Sequence, residues 1–264
     1  MIKKIKIFQN GTELSYSTVE MLKKKLLNNG FQLVEEDPDL IVSVGGDGSF
    51  LQTLKETNFD VKPLYVGILS GHLGFLQEIN LHQIDEFIES IKNESYMVEK
   101  LSIQNAYIYT ENKKYEFQAL NETVIREKNL KVLHLNIDID NNFVEKYSGD
   151  GIIVSTPIGS TAYNLSLGGS IVYPSLNVLQ ITPLAPINSH SYRSLRNSII
   201  VPPQMTISLS PVIEYSSDVL ISVDGYSVKI CDVKKIEINT GNKHINTLRF
   251  ENYSFWTRIQ EKFL

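Results

Sequence analysis

The sequence predicts an α/β N-terminal domain with a Rossmann-like parallel sheet, then an all-β, β-sandwich-like C-terminal domain. Three observations lead there. Over the first ninety or so residues, short apolar runs alternate with helix-period segments, the order that a parallel sheet covered by helices requires. After about residue 95, helix periodicity nearly vanishes and short β-branched and aromatic runs follow one another, as in antiparallel sheets packed face to face. The last stretch, 253–263, places Phe255, Trp256, Ile259 and Phe263 at helical spacing and is expected to pack back onto the first domain. The expected division is 1–97 for the α/β domain, 98–250 for the β-sandwich-like domain and 251–264 for the C-terminal helix.

Taken in order, Ile5 to Phe8 makes a first strand. From Leu14 to Asn29, Val19, Leu22 and Leu26 recur at three- and four-residue steps, and Gly30 follows as a C-terminal stop. Strands at 31–34, 40–44 and 64–68 continue the sheet, with a helix predicted over 49–57. A further helix shows Leu81, Ile84, Phe87, Ile88 and Ile91 on one face. In the second domain, strands are predicted at 104–110, 115–120, 132–139, 151–155, 198–201, 205–209, 219–223, 227–231 and 235–239.

Composition narrows the function. The 264 residues are 42% hydrophobic and 21% charged, with 25 basic and 30 acidic side chains giving a net charge of -5, as in an ordinary globular protein. Such mild acidity disfavours nucleic acid, which needs a concentrated field of Lys and Arg, but leaves room for a small anionic ligand. Cys231 is the single cysteine, which excludes an internal disulfide and a Cys-rich zinc site; it is expected to be a buried small hydrophobe. The first residues alternate apolar and basic, and no apolar run of about eighteen residues occurs, so a cytoplasmic protein without membrane association is expected.

The sharpest motif is Gly45-Gly46-Asp47-Gly48-Ser49-Phe50, directly after the apolar run 40–44. In an open parallel sheet, ligands gather at the carboxyl ends of strands, and a glycine loop entering a helix offers bare amides and a positive dipole end to phosphate. A carboxylate there serves an anion poorly. Asp47 is therefore a candidate to take a proton from a hydroxyl or to hold a metal; the alternative is a turn-former or helix N-cap. The spacing fits neither the dinucleotide fingerprint nor the P-loop.

Four further segments follow. Ser70-Gly71-His72-Leu73-Gly74-Phe75 sits at the same sheet edge, with His72 either an acid/base or phosphate contact or simply structural, and Phe75 a pocket wall or core. Asn121-Glu122 offers an amide and a carboxylate to a base edge or ribose, or is an exposed turn. In the stretch 149–169, a strand ends at Pro157, and Ile158, Gly159, Ser160, Thr161 and Ala162 lead to Tyr163. Its amides and hydroxyls suit phosphate or ribose and the Tyr163 ring suits stacking; the alternative is a polar loop before a Gly-capped helix. Asp224-Gly225 reads as a hairpin turn.

In this order, from Gly45 to about Gly225, the segments resemble the NAD kinase family, whose members phosphorylate the 2′-hydroxyl of the adenosine ribose of NAD to make NADP. The Gly45–Ser49 loop is shared with diacylglycerol kinase and phosphofructokinase relatives; Asn121-Glu122 and the 156–163 stretch narrow the likeness to NAD kinases. The resemblance implies that Asp47 is the general base, that Gly45, Gly46 and Ser49 form the phosphate loop, and that Gly48 and Phe75 line the NAD site. It implies that Asn121 and Glu122 hydrogen-bond the dinucleotide and that Asp150, Thr161, Ala162, Tyr163 and Ser166 line the same pocket, Tyr163 against a base ring. His72, Ser148, Ile158, Ala185 and Asp224 complete the expected substrate-binding set. It further implies Mg²⁺ brought with ATP or polyphosphate, no metal ligands from the chain, no tightly bound organic cofactor, a site in the cleft between the domains, and a homodimer or homotetramer whose neighbouring subunit completes each site.

Two departures stand out. Ser148 occupies a position where many members carry a basic residue, so phosphate charge falls to Mg²⁺, loop amides or a cation such as Lys146, His72 or Arg193. Ser49 replaces the usual threonine and keeps the hydroxyl. Competing readings are a lipid or sphingoid kinase, disfavoured by the absence of an amphipathic membrane-binding helix, an NADP phosphatase, and a non-catalytic NAD(P) sensor. A dehydrogenase is least favoured, since no GxGxxG follows a strand.

Overall fold

The computed structural model describes residues 1–9, 11–71, 73–129, 131–190, 193–212 and 219–264. The chain begins β1 (Lys4–Gln9), α1 (Glu13–Asn28), β2 (Gln32–Leu33), β3 (Leu40–Gly45), α2 (Asp47–Glu56), β4 (Leu64–Leu69), a 3₁₀ turn at Leu81–Gln83 and α3 (Ile84–Asn93). It continues with β5 (Met97–Tyr109), β6 (Lys114–Ala119), β7 (Glu122–Glu127), β8 (Leu133–Ile139), β9 (Asn142–Gly149) and β10 (Gly151–Ser155). A 3₁₀ turn at Ile158–Thr161 and the single-turn α4 (Tyr163–Ser166) precede β11 (Leu179–Leu184), β12 (Ile199–Val201), β13 (Ile207–Pro211), β14 (Val219–Val223), β15 (Tyr226–Val228), β16 (Lys235–Arg249) and α5 (Phe255–Phe263). Two units result: Met1–Leu101 with His244–Leu264, and Ser102–Lys243.

In the first unit the strands run parallel in the order β2-β1-β3-β4, and Asn246 and Thr247 of β16 lie parallel to Leu64 and Tyr65. Every residue of β3 is buried, as expected of an inner strand of a sheet covered on both faces. Thr12 caps α1 by accepting from the Ser15 amide, and Val19, Leu22 and Leu26 enter a core with Val42, Ile68, Phe87 and Leu248. The C-terminal α5 belongs to this unit, with Phe255 buried. The Rossmann-like sheet and the returning C-terminal segment are thus both present.

The second unit is antiparallel apart from short helical turns. One sheet orders β12-β11-β10-β7-β14-β15; the second set places β16-β13-β8-β9 side by side, with β5 paired to β16 and β6. Ile125, Ile152 and Ile221 from the first and Leu135, Leu209 and Ile238 from the second share one core, the face-to-face packing that the alternating runs foretell. The other face of the first sheet carries Val124, Ile153 and Leu184, against which Leu167 packs.

Several local expectations are corrected. Leu81 lies in the 3₁₀ turn and is exposed, since α3 begins only at Ile84. Asp47 is the first residue of α2, so the helix begins two positions before the predicted start. Trp256 is 60% exposed because, one step after the buried Phe255, it points to another side of α5. Cys231 is exposed, since the predicted strand over 227–231 ends at Val228. The strands β7, β9 and β11 were not anticipated. Among the described residues no helix is long and apolar enough to cross a membrane.

Candidate active site

Asp47 stands where a fully buried strand gives way to a helix. Gly46 is the N-cap of α2, and its amide donates to the Ser49 hydroxyl at 3.3 Å, half of a capping box. The first amides of a helix have no partner within it, so those of Asp47 and Gly48 are available to an anion. The Asp47 carboxylate turns to the neighbouring strand exit, where Oδ2 accepts from the Phe75 amide at 3.0 Å and Oδ1 from the Leu76 amide at 2.9 Å. Ser70 N also donates to Gly45 O at 3.0 Å, which joins the two glycine-bearing turns. Gly74 makes room for this arrangement, because a Cβ there would stand 2.0 Å from Asp47 Oδ1.

The segment after Gly74 is pinned throughout. Gln77 donates from Nε2 to Gly46 O at 2.6 Å, under the glycine loop. Glu78 is buried and accepts from the Phe250 amide at 3.1 Å and from Arg249 Nη1 at 3.3 Å, while Arg249 Nε donates to Glu99 at 2.8 Å. Arg258 of α5 donates to the carbonyls of Gln77 and Glu78 at 3.2 and 3.3 Å. Phe75, buried, has its ring centroid 6.1 Å from that of Phe255 and 5.5 Å from that of Phe263. Lys262 Nζ lies 3.7 Å from Asp47 Oδ2. Gln77, Arg258 and Lys262 carry no local motif, and sequence reasoning missed them. His72, which it named, lies outside the described residues.

In the second unit, the predicted residues gather around the start of β7. Asp224 occupies the hairpin between β14 and β15 with φ of 47°, a conformation short acidic side chains tolerate. Its buried carboxylate accepts from the amides of Leu120 (2.7 Å), Asn121 (2.8 Å) and Glu122 (3.2 Å), and so fixes the backbone of the Asn-Glu pair from beneath. Asn121 O accepts from Thr156 N at 2.9 Å, and Gly159 packs so close that a Cβ would meet Asn121 O at 2.1 Å. The 156–163 stretch is thereby brought onto Asn121. Glu122 pairs in register with Ser155, and neither Glu122 Oε2 nor Ser155 Oγ has a partner among the described residues.

The remaining residues separate into exposed and buried sets. Tyr163 and Ser166 on α4 are exposed and Ala162 half-buried, whereas Ile158 and Thr161 are buried, the Thr161 hydroxyl donating to Ile158 O. Asp150 is exposed and its amide donates to Leu184 O at 3.0 Å, next to Ala185, whose φ of 42° is strained for a residue with a Cβ. Ser148 is turned inward with its Oγ 2.8 Å from His134 Nδ1. Lys146 and Arg193 are exposed.

Burial tunes the acids of the second unit. Desolvation, with the Asp224 charge adding to it, pushes Glu122 up to about 8. Desolvation also raises Asp224, to about 6, against the opposing pull of its three backbone hydrogen bonds. At neutral pH Glu122 therefore carries a proton and can donate as well as accept, while Asp224 remains an acceptor for its amides. His134 is lowered by burial and by the Lys146 charge, so it is neutral beside Ser148. Among the described residues no three His, Cys, Asp or Glu side chains are grouped as a metal cradle.

The ATP-NAD kinase N-terminal domain profile matches residues 6–96 and the ATP-NAD kinase C-terminal domain profile residues 120–250. The NAD kinase of Finegoldia magna is 39% identical over 99% of this chain and 98% of its own. The chain belongs to the ATP-NAD kinase family. NAD kinase 2 of Halalkalibacterium halodurans is 34% identical, covering 98% of each chain. Two solved structures share the ATP-NAD kinase fold seen here. Yeast NADH kinase complexed with NADH has a TM-score of 0.86 at 21% identity, over 99% of this chain and 87% of that one. The NAD kinase of Archaeoglobus fulgidus in complex with ATP has a TM-score of 0.75 at 22% identity, over 98% and 97%.

Proposed function

We propose that the chain transfers the γ-phosphoryl group of ATP to the 2′-hydroxyl of the adenosine ribose of NAD, giving NADP and ADP, with Asp47 as general base. The observation that carries the assignment of Asp47 is its placement. It opens α2 at the carboxyl end of a fully buried parallel strand, in a chain of the ATP-NAD kinase family. Both Asp47 oxygens hold amide hydrogen bonds, but each keeps a further lone pair for a hydroxyl proton. As the ribose oxygen attacks the γ-phosphorus, its proton passes to Asp47 and the bond to the β-phosphate oxygen breaks, ADP leaving with that electron pair. Magnesium carried in with the triphosphate would supply charge neutralisation at the phosphate oxygens.

The chain's own part is positioning and hydrogen bonding. The Asp47 and Gly48 amides face phosphate oxygens. Asn121 and Glu122, their backbone fixed by Asp224, hold the dinucleotide, and the unpartnered Glu122 Oε2 supports this because a buried polar atom left unpaired is costly until a ligand pairs it. The exposed Tyr163 ring offers a stacking face for a base. The test is NADP formation from NAD, ATP and Mg²⁺, read through an NADP-specific dehydrogenase. Asp47→Asn should retain NAD binding and lose about two to four powers of ten in turnover. Undiminished turnover of that variant would remove Asp47 as the base.

A further inference from the structure

We propose that Lys262, near the end of α5, is a phosphate-binding residue of this active site, its ammonium passing from Asp47 to the phosphoryl group in transit. The inference rests on the reading of Asp47 as the base. Lys262 Nζ stands 3.7 Å from Asp47 Oδ2 and 5.1 Å from the centroid of the Phe75 ring, and it is the one ion-pair partner of Asp47 among the described residues. A base that receives the acceptor's proton lies within about 3 Å of the acceptor oxygen. The phosphoryl group that becomes bonded to that oxygen must therefore pass within a few ångströms of the carboxylate. Like charges that close repel strongly outside bulk water, and a cation already seated on the carboxylate is the group placed to offset them.

The details of the contact suit exchange of partners. At 3.7 Å the pair is ionic without being a hydrogen bond, so the contact commits none of the three ammonium donors to Asp47. The side chains of Lys262 and Asp47 are 30% and 29% exposed, within reach of an entering nucleotide. The position of the ammonium is nevertheless set by packing. α5 is anchored by the buried Phe255, by Arg258 on the carbonyls of Gln77 and Glu78, and by Phe263 against Phe75. The same contacts hold the segment whose amides orient Asp47. Lys262 transfers no proton in this scheme; it contributes charge and hydrogen bonds.

The experiment compares wild type, Lys262→Met, Lys262→Arg and Phe263→Ala in NADP formation, with kcat and KM measured separately for ATP and NAD and a thermal midpoint for each protein. Met keeps the packing of the lysine stem and removes the charge. The expected result is a fall of about 100-fold in kcat/KM for ATP in Lys262→Met, with KM for NAD within about twofold, an unchanged midpoint, and substantial recovery in Lys262→Arg. Two results would overturn the proposal. One is wild-type kcat/KM for ATP in Lys262→Met. The other is a loss that Arg does not relieve and that comes with a lowered midpoint like that of Phe263→Ala, which would make the lysine only a tether for the helix. If wild type itself forms no NADP, the functional reading falls and takes this inference with it, an outcome distinct from an active wild type indifferent to Lys262.

Discussion

A Cβ at Gly74 would lie 2.0 Å from Oδ1 of Asp47, closer than any real contact, so even the smallest side chain there must push the carboxylate off the Phe75 and Leu76 amides. Misplacing a reacting group by about 1 Å costs on the order of 100-fold in rate. Gly74→Ala should therefore reduce kcat by about that factor while NAD still binds, as steady-state kinetics beside calorimetry would show; an unchanged kcat would mean that Asp47 need not be held by these amides. Asp47 was legible in the sequence because an apolar run followed by glycines marks a strand exit. Its surroundings were not, because Gln77 bonds Gly46, Arg258 bonds the Gln77 carbonyl and Lys262 pairs with Asp47 only through elements distant in the chain, and a lone Lys, Arg or Gln carries no local signature.

At the scale of elements, the segment from Gly74 to Glu78 and the helix α5 form one hydrogen-bonded assembly whose buried centre is Arg249. Its guanidinium lies between Glu78 and Glu99, 4.4 Å from the centroid of the Tyr253 ring. Removing one member of a buried ion pair leaves an uncompensated charge, typically costing about 3–5 kcal/mol. Arg249→Met should then lower the thermal midpoint by roughly 10 °C, measured by calorimetry or circular dichroism. A midpoint within a degree of wild type would show that the acids are satisfied without it. The same scale explains which elements were readable. β3, β4 and β10 are nearly all apolar and α1 has clean helical spacing, so periodicity found them. β11 contains Pro183, which normally argues against an inner strand, and β9 begins after Asp140-Asn141, a turn with both φ values positive but no glycine to announce it. Trp256 and Cys231 went astray for a related reason: residue type predicted burial, and placement along the element decided otherwise.

For the molecule as a whole, the buried acids couple stability to pH. Glu122 and Asp224 have folded values raised to about 8 and about 6, whereas in the unfolded chain both titrate near the ordinary carboxylate range. Between those limits the folded state binds more protons, so this contribution to stability is complete below about pH 4 and is lost as pH rises through about 6 and about 8. Glu122→Gln removes the glutamate's share. It should match wild type in thermal midpoint near pH 5 and exceed it near pH 9, whereas a constant offset would mean that Glu122 is ionised throughout. The two-unit α/β and all-β plan was readable from the change of texture near residue 95, because the periodicities of helix and strand differ, and the candidate site was readable wherever glycines and polar pairs sit at strand ends. If Asp47 drives phosphorylation of NAD at the 2′-hydroxyl, ³¹P NMR of the product formed from NAD, ATP and Mg²⁺ by wild type and by Asp47→Asn reads it out. The expected result is a 2′-phosphate resonance that grows with wild type and is nearly absent with the variant. NAD left unphosphorylated by a wild-type protein that binds it, or equal product from both proteins, would contradict it.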